Sequence, residues 1–351
     1  MRVIEPPGSQ GVARPPEPLA DGAPDGTADD APGGTADGAP GGTADGAPGR
    51  RPGLPADLAA LIRPLHAAKS VLLVPLALAD ASVWTLAMLG ATGWAVAGFV
   101  LAGACVYVGN DIADRHRDRH HPVKRHRPVA AGRVPVWAAC LYCAALLALL
   151  GVVAGSGPGR PYWPLLAYLA LNVAYTRVLK HIPLIDVCAV ALGFALRVVQ
   201  GYAAIGEPVS GWLLVAVFSV SLLLVTGKRR QELLESGTAH RPALRGYSVG
   251  LADQMLQLTC VLTAVAGLMY LRTEAPFGPY GQPAMLLATP FVIFALFRYL
   301  QVVLVEGGGG DPVRGVLRDR GLAATAVALA VVLGVTLVLA HHPALAATVL
   351  R

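Results

Sequence analysis

Charge is scarce in this 351-residue chain: only 14% of residues are Asp, Glu, Lys or Arg and 6% are aromatic, against 54% hydrophobic. With a mean hydropathy of +0.55, that leaves too little polar surface to cover a soluble fold. A water-soluble globular protein is therefore excluded, and a polytopic membrane protein is expected. The chain also lacks a DNA-binding motif. Its net charge of +6 falls in loops between apolar runs, which membrane topology explains better than nucleic acid does. Cysteines are few. Cys105, Cys140, Cys143, Cys188 and Cys260 all lie in apolar runs, and the Cys140-x-x-Cys143 pair has no further ligand nearby, so buried thiols are expected rather than a metal or redox site. His116, His120, His121 and His126 crowd one loop without a zinc-helix spacing beside a Glu, and no Ser/His/Asp constellation is recognisable. Residues 1 to 56 lack any sustained apolar run. They are Gly, Ala, Pro and Asp with an internal repeat from Thr27 to Gly49, so a disordered tail is expected, without the basic start and apolar core of a secretory signal.

What is present from residue 57 to 351 is a succession of apolar segments. They fall near 70–89, 91–109, 134–155, 162–179, 184–205, 211–227, 251–271, 284–304 and 321–341. Each approaches the roughly 20 residues a spanning helix needs, which predicts an all-α bundle of about nine transmembrane helices. Lys and Arg crowd the loops after the second, fourth, sixth and eighth segments. The alternate loops hold only Arg160 and Arg272, with Arg351 at the tail. The positive-inside rule then places the amino terminus and the basic loops in the cytoplasm, in a plasma-membrane protein.

The one densely charged run begins at Asn110 and passes through Asp111, Asp114 and Asp118 to Lys124, Arg125 and Arg127. On a continuous helix the three carboxylates at i, i+3 and i+7 share a face, with neighbours about 5–6 Å apart. Such a cluster repels itself unless cations such as Mg²⁺ sit between it and a phosphate ligand. Basic residues suited to phosphate follow directly. A solvated loop is the ordinary alternative for a mixed-sign run. Its position at the end of an apolar helix favours a diphosphate site, because an intramembrane carboxylate is costly.

Other loops hold further polar groups. Tyr175, Lys180 and Asp186 border the fifth segment, and Arg197 stands three turns along nearly the same face as Asp186, so either an ion pair or a polar cavity is expected there. Lys228, Arg229, Arg230 and Glu232 close the sixth segment. They read as a lipid-facing topology signal or as phosphate donors. Gly307 to Gly310 follow no strand, so a hinge is expected rather than a Walker loop. Arg63 and Lys69 precede the first segment as helix anchors, with a phosphate role for Lys69 as the sharper option.

The Asn-Asp-x-x-Asp-x-x-x-Asp run of Asn110 to Asp118 resembles the first aspartate motif of the UbiA superfamily of intramembrane prenyltransferases. With Lys124, Arg125 and Arg127, Tyr175 to Lys180, Asp186, and Gly227 to Glu232, it is similar to the decaprenyl-phosphate phosphoribosyltransferase branch over about residues 60 to 341. The resemblance implies a cytoplasm-facing cavity and transfer of 5-phosphoribose from phosphoribosyl pyrophosphate to a polyprenyl phosphate. It implies Mg²⁺ on Asn110, Asp111, Asp114 and Asp118, with substrate held by Lys69, Lys124, Arg125, Arg127, Tyr175, Lys180, Asp186, Arg197, Lys228, Arg229 and Glu232. Aromatic prenyltransferases of the superfamily carry a second Asp-x-x-x-Asp where this chain has Lys228 to Glu232, which favours the phosphoribosyl branch. A prenyltransferase using an isoprenyl diphosphate and a small acceptor is the alternative, and a carrier without chemistry a third. The bilayer is a partner in every case, and a homo-oligomer stays open.

Overall fold

The computed structural model describes residues 53–63, 70–81, 84–120, 124–157, 161–236, 242–307 and 319–342. The repeat tail up to residue 52 and Lys69 lie outside them. Every regular element is helical. Helix α1, Leu54–Ile62, has its first three residues inside the expected tail, with Pro55 in its first turn where a missing N–H costs nothing. Helix α2 is the short run Ser70–Asp80. Helices α3 (Leu86–Ala113), α4 (Arg115–Arg119), α5 (Val136–Gly155), α6 (Trp163–Arg177) and α7 (Ile185–Ile205) follow. Helices α8 (Gly211–Ser236), α9 (Val249–Thr273), α10 (Gly281–Leu304) and α11 (Arg320–His341) complete the order.

Among the described residues, seven helices are long and apolar enough to cross a membrane: α3, α5, α7, α8, α9, α10 and α11. The count of nine is not reached because two expected spans are short. In the 70–89 segment, Pro75 lacks the N–H that a continuing helix needs and sits in a 3₁₀ turn, Val74–Leu76, inside α2, which ends at Asp80. The apolar residues from Leu86 onward belong instead to α3, whose 28 residues start on a Thr85 side chain that accepts from the Met88 N–H. Helix α6 has 15 residues, short of a full bilayer crossing.

Helix α7 is the most enclosed span, packed against α2, α3, α6 and α8. Its buried face carries small residues that let neighbours approach. A Cβ on Gly201 would stand 2.0 Å from the Val74 carbonyl oxygen and 3.4 Å from the Ala77 Cβ, so backbone would have to move. Gly201→Ala is therefore expected to cost about 1–3 kcal/mol as overpacking, seen as a lower melting temperature in detergent. An unchanged melt would contradict the close approach of α2 and α7.

Three of the basic loops that sequence places on one side, those after the second, fourth and sixth segments, meet at one end of the described helices. There α3 ends beside the α6–α7 turn through Lys180 and Asp114, and α7 meets α8 and Tyr247 through Asp186. At the opposite end, Asp80 accepts from the Tyr202 and Tyr270 hydroxyls, and Glu274 accepts from Ser210.

Candidate active site

The end of α3 sets the geometry. The helix stops at Ala113, and Asp114 adopts φ −91°, ψ 2° before the chain resumes helical turns in α4. The expectation of three carboxylates on one unbroken face therefore holds only in part. Asp111 and Asp118, seven residues apart, do share a face, and Arg127 closes it. Arg127 donates to Asp118 Oδ2 at 2.6 Å and to Asp111 Oδ1 at 3.3 Å, and Arg63 donates to the same Asp111 oxygen. Asp114 points elsewhere, at Lys180 Nζ 2.9 Å away. Asp111 and Asp118 are only 2% and 3% exposed, so each buried charge has a cation against it, as burial requires.

Asn110, turned by about 100° from Asp111 on the helix, and Asp114, directed at Lys180 by the break after Ala113, face a different space from Asp111. They line a cavity of about 470 Å³ between α3, α5 and α6, together with Thr176, Arg177, Lys180 and His181. Thr176 donates to Asn110 Oδ1 at 2.6 Å and fixes that amide's orientation.

A second network joins the neighbouring loops. Asp186 is fully buried and takes the Arg229 Nε at 2.8 Å and the Tyr247 hydroxyl at 2.7 Å. Arg229 also donates to Glu232 at 2.8 Å and interacts electrostatically with Tyr175. Burial first, and the hydrogen bond to Asp186 second, push the Tyr247 hydroxyl well above the usual tyrosine value, so it stays a donor across physiological pH. The same oxygen accepts from the Leu184 N–H at 2.9 Å, which pins a residue whose φ of +66° is unfavourable for a branched side chain.

The structure thus brings together Asp111, Asp118 and Arg127 in one group, Asn110, Asp114 and Lys180 in another, and Asp186, Arg229, Glu232 and Tyr175 in a third. Lys124 is half-buried, and Arg125 is exposed with its Nε toward His126, away from the carboxylates. Lys228 is exposed beside buried Arg229. The pairing of Asp186 with Arg197 is not formed. Eleven residues of helix separate them by about 16 Å, so a shared face brings no contact. Arg197 instead lies 6% exposed, donating to Ser70, the Gly193 carbonyl and the Tyr168 hydroxyl, with its guanidinium 4.6 Å from the Tyr168 ring centre. Arg63, expected from sequence only as a helix anchor, and Thr176 and Tyr247 also join these networks. Only Arg63 left a signal in the sequence, as a cation just ahead of the first apolar run.

The match to known proteins decides the lineage. Residues 69–308 match the model of the UbiA prenyltransferase family. The chain belongs to this family. Among its UbiA relatives, the decaprenyl-phosphate phosphoribosyltransferase of Mycobacterium tuberculosis is 35% identical over 293 residues, covering 78% of this chain and 93% of that protein. The protein of the same name from Corynebacterium glutamicum is 34% identical over 280 residues, 76% of this chain and 82% of that one. A UbiA homologue from Archaeoglobus fulgidus, solved bound to GPP and Mg²⁺, superposes with a TM-score of 0.56 at 19% identity, covering 78% of this chain and 99% of its own. That likeness establishes the UbiA membrane fold.

The donor set can be weighed against a divalent cation on its own chemistry. Asn110, Asp111, Asp114 and Asp118 offer only oxygen, which suits Mg²⁺. Each of the three carboxylates gives one oxygen to a cationic side chain, and among the described residues its other oxygen takes no hydrogen bond. Among those residues no three His, Cys, Asp or Glu side chains converge on one point. The residues fit an ion shared with a ligand's phosphates rather than a cage made by protein alone.

Proposed function

We propose that this chain transfers 5-phosphoribose from phosphoribosyl pyrophosphate to a polyprenyl phosphate, releasing diphosphate, on the cytoplasmic side of the plasma membrane. The reading rests on the relatives of that name, one of which is covered over 93% of its length. The end of α3 supports it, since Asp111 and Asp118 pair there with Arg127, while Asp114 pairs with Lys180 at the rim of the cavity.

Asn110, Asp111, Asp114 and Asp118 would hold Mg²⁺, which when bound supplies neutralisation of the leaving diphosphate. Lys124 and Arg127 hold phosphate oxygens of the donor beside that group. Lys228, exposed at the end of α8, holds the ribose 5-phosphate. The acceptor's phosphate oxygen bonds to the anomeric carbon as the bond from that carbon to the diphosphate oxygen breaks, and its electron pair leaves with diphosphate. The nucleophile is already anionic, so no general base is needed. Arg229 and Tyr247 act indirectly by fixing Asp186 and hence the turn that carries Lys180.

The test is the product. Purified protein with Mg²⁺, phosphoribosyl pyrophosphate and decaprenyl phosphate is expected to yield a lipid heavier by one ribosyl phosphate and an equal amount of diphosphate. Excess EDTA is expected to stop both. Consumption of phosphoribosyl pyrophosphate without a lipid product would overturn the reading.

A further inference from the structure

The cavity between α3, α5 and α6 has two chemically different ends. Its upper rim carries Arg177, Lys180 and His181, with Asn110, Asp114 and Thr176 beside them. Its deeper wall is Val106, Cys143, Leu147, Leu169 and Val173. From Asp114 to Cys105, both lining it, α3 rises roughly 13 Å, so the cavity runs along the helices from the polar end into the bundle. Helices α5 and α6 each pack on α3 and scarcely on each other. Leu147 and Val173 line that gap at 47% and 58% exposure, so it opens sideways toward lipid.

The geometry points to this cavity as the seat of a single-chain lipid phosphate, the acceptor of the proposed reaction, on which this assignment rests. The phosphate lies on Lys180 and Arg177, and the first isoprene units lie against Cys143, Leu147 and Leu169, with the remaining chain leaving between α5 and α6. Three features carry it. Cations with Thr176 suit a phosphate, and in the deep wall the one polar amide, Asn172, gives its Nδ2 to the Tyr168 carbonyl, which leaves that wall mostly apolar. A volume of about 470 Å³ is that of an ordinary small-ligand site and is too small for two acyl chains with their headgroup. The position couples the two substrates. Asn110 and Asp114 face this cavity while Asp111, on the same turn, faces Arg63 and Arg127, so lipid and donor phosphates meet over the broken end of α3. Lys180 has three donors and reaches Asp114 with one, so it can bridge that carboxylate and a phosphate. Lys180 is thereby assigned to the acceptor and Lys228 to the donor.

The test uses thiol protection in the full-length protein. Cys143 is kept as the reporter on the deep wall and Cys188, which is exposed and does not line the cavity, as the control. Cys105, Cys140 and Cys260 are replaced by alanine. Labelling by N-ethylmaleimide is read by mass spectrometry, in parallel with turnover of phosphoribosyl pyrophosphate on the same sample. Geranylgeranyl phosphate is expected to slow Cys143 labelling at least fivefold and leave Cys188 unchanged, while geranylgeraniol and inorganic phosphate do neither. Lys180→Gln is expected to remove the protection, and Leu147→Trp to raise KM for the lipid with KM for phosphoribosyl pyrophosphate unchanged. Turnover without protection would overturn this site and leave the proposed reaction standing. Protection without turnover would keep the site and remove the reaction. Equal protection by the alcohol, or none together with no turnover, would overturn the assignment.

Discussion

Asp111→Asn and Asp114→Asn are each expected to lower turnover by at least about a hundredfold, the scale of losing one preorganised charge in a catalytic site. The two losses have different origins. Asp111 is 2% exposed and faces Arg63 and Arg127, so asparagine there leaves two guanidinium groups around a neutral amide and removes an oxygen anion from the metal-binding set. Asp114 is 30% exposed at the cavity rim and holds Lys180, so its loss disturbs both the metal set and the acceptor end. Asp111→Asn is accordingly expected to reduce kcat at every Mg²⁺ concentration, whereas Asp114→Asn also raises KM for the lipid. Size-exclusion profiles in detergent are expected to match the parent, which separates lost chemistry from lost fold. Near-normal turnover by either variant, or by the parent in excess EDTA, would contradict the metal assignment.

Arg229→Ala is expected to be the most destabilising single change among the basic residues of the site. Its Nε lies 2.8 Å from Asp186, which is 0% exposed, and truncation removes that guanidinium from a buried carboxylate to which Tyr247 also donates. Breaking one side of a buried pair costs about 3–5 kcal/mol, because an uncompensated charge remains. The sequence alone suggests a different outcome, weaker phosphate binding. The two are separable: the structural account expects a lower melting temperature and a partial rescue by adding Asp186→Asn, which removes the bare charge. Lys228→Ala, at an exposed position, is expected to leave the melt unchanged and raise KM for phosphoribosyl pyrophosphate about tenfold or more, the scale of one charge-assisted contact. A parent-like melt for Arg229→Ala with a raised KM would reverse these roles.

The residues that sequence reading located best are those whose meaning is local. Asn110 to Asp118 declare themselves because charge is rare in this chain and because they follow directly on an apolar run. Loop positions were legible for the same reason, through the uneven placement of Lys and Arg. Contacts were not. Arg127 sits 16 residues from Asp111 and Arg63 sits 48 away on the other side, and no periodicity links them. Of the two readings of Asp186 and Arg197, an ion pair or a polar cavity wall, the pair does not form, because about 16 Å of axial rise separates the two along their shared face. Nine spans are expected from the sequence, and seven described helices are long and apolar enough to cross, since Pro75 interrupts one apolar run and α6 has 15 residues. Hydropathy measures how apolar a stretch is, and the backbone decides whether it stays one helix.

Donor choice tests the central claim most directly. The parent protein, with Mg²⁺, is given equimolar phosphoribosyl pyrophosphate and geranyl diphosphate together with decaprenyl phosphate and 4-hydroxybenzoate, and all products are resolved by mass. The account predicts phosphoribosylated lipid as the one product, formed in step with diphosphate. Geranylated 4-hydroxybenzoate with phosphoribosyl pyrophosphate left intact would contradict it.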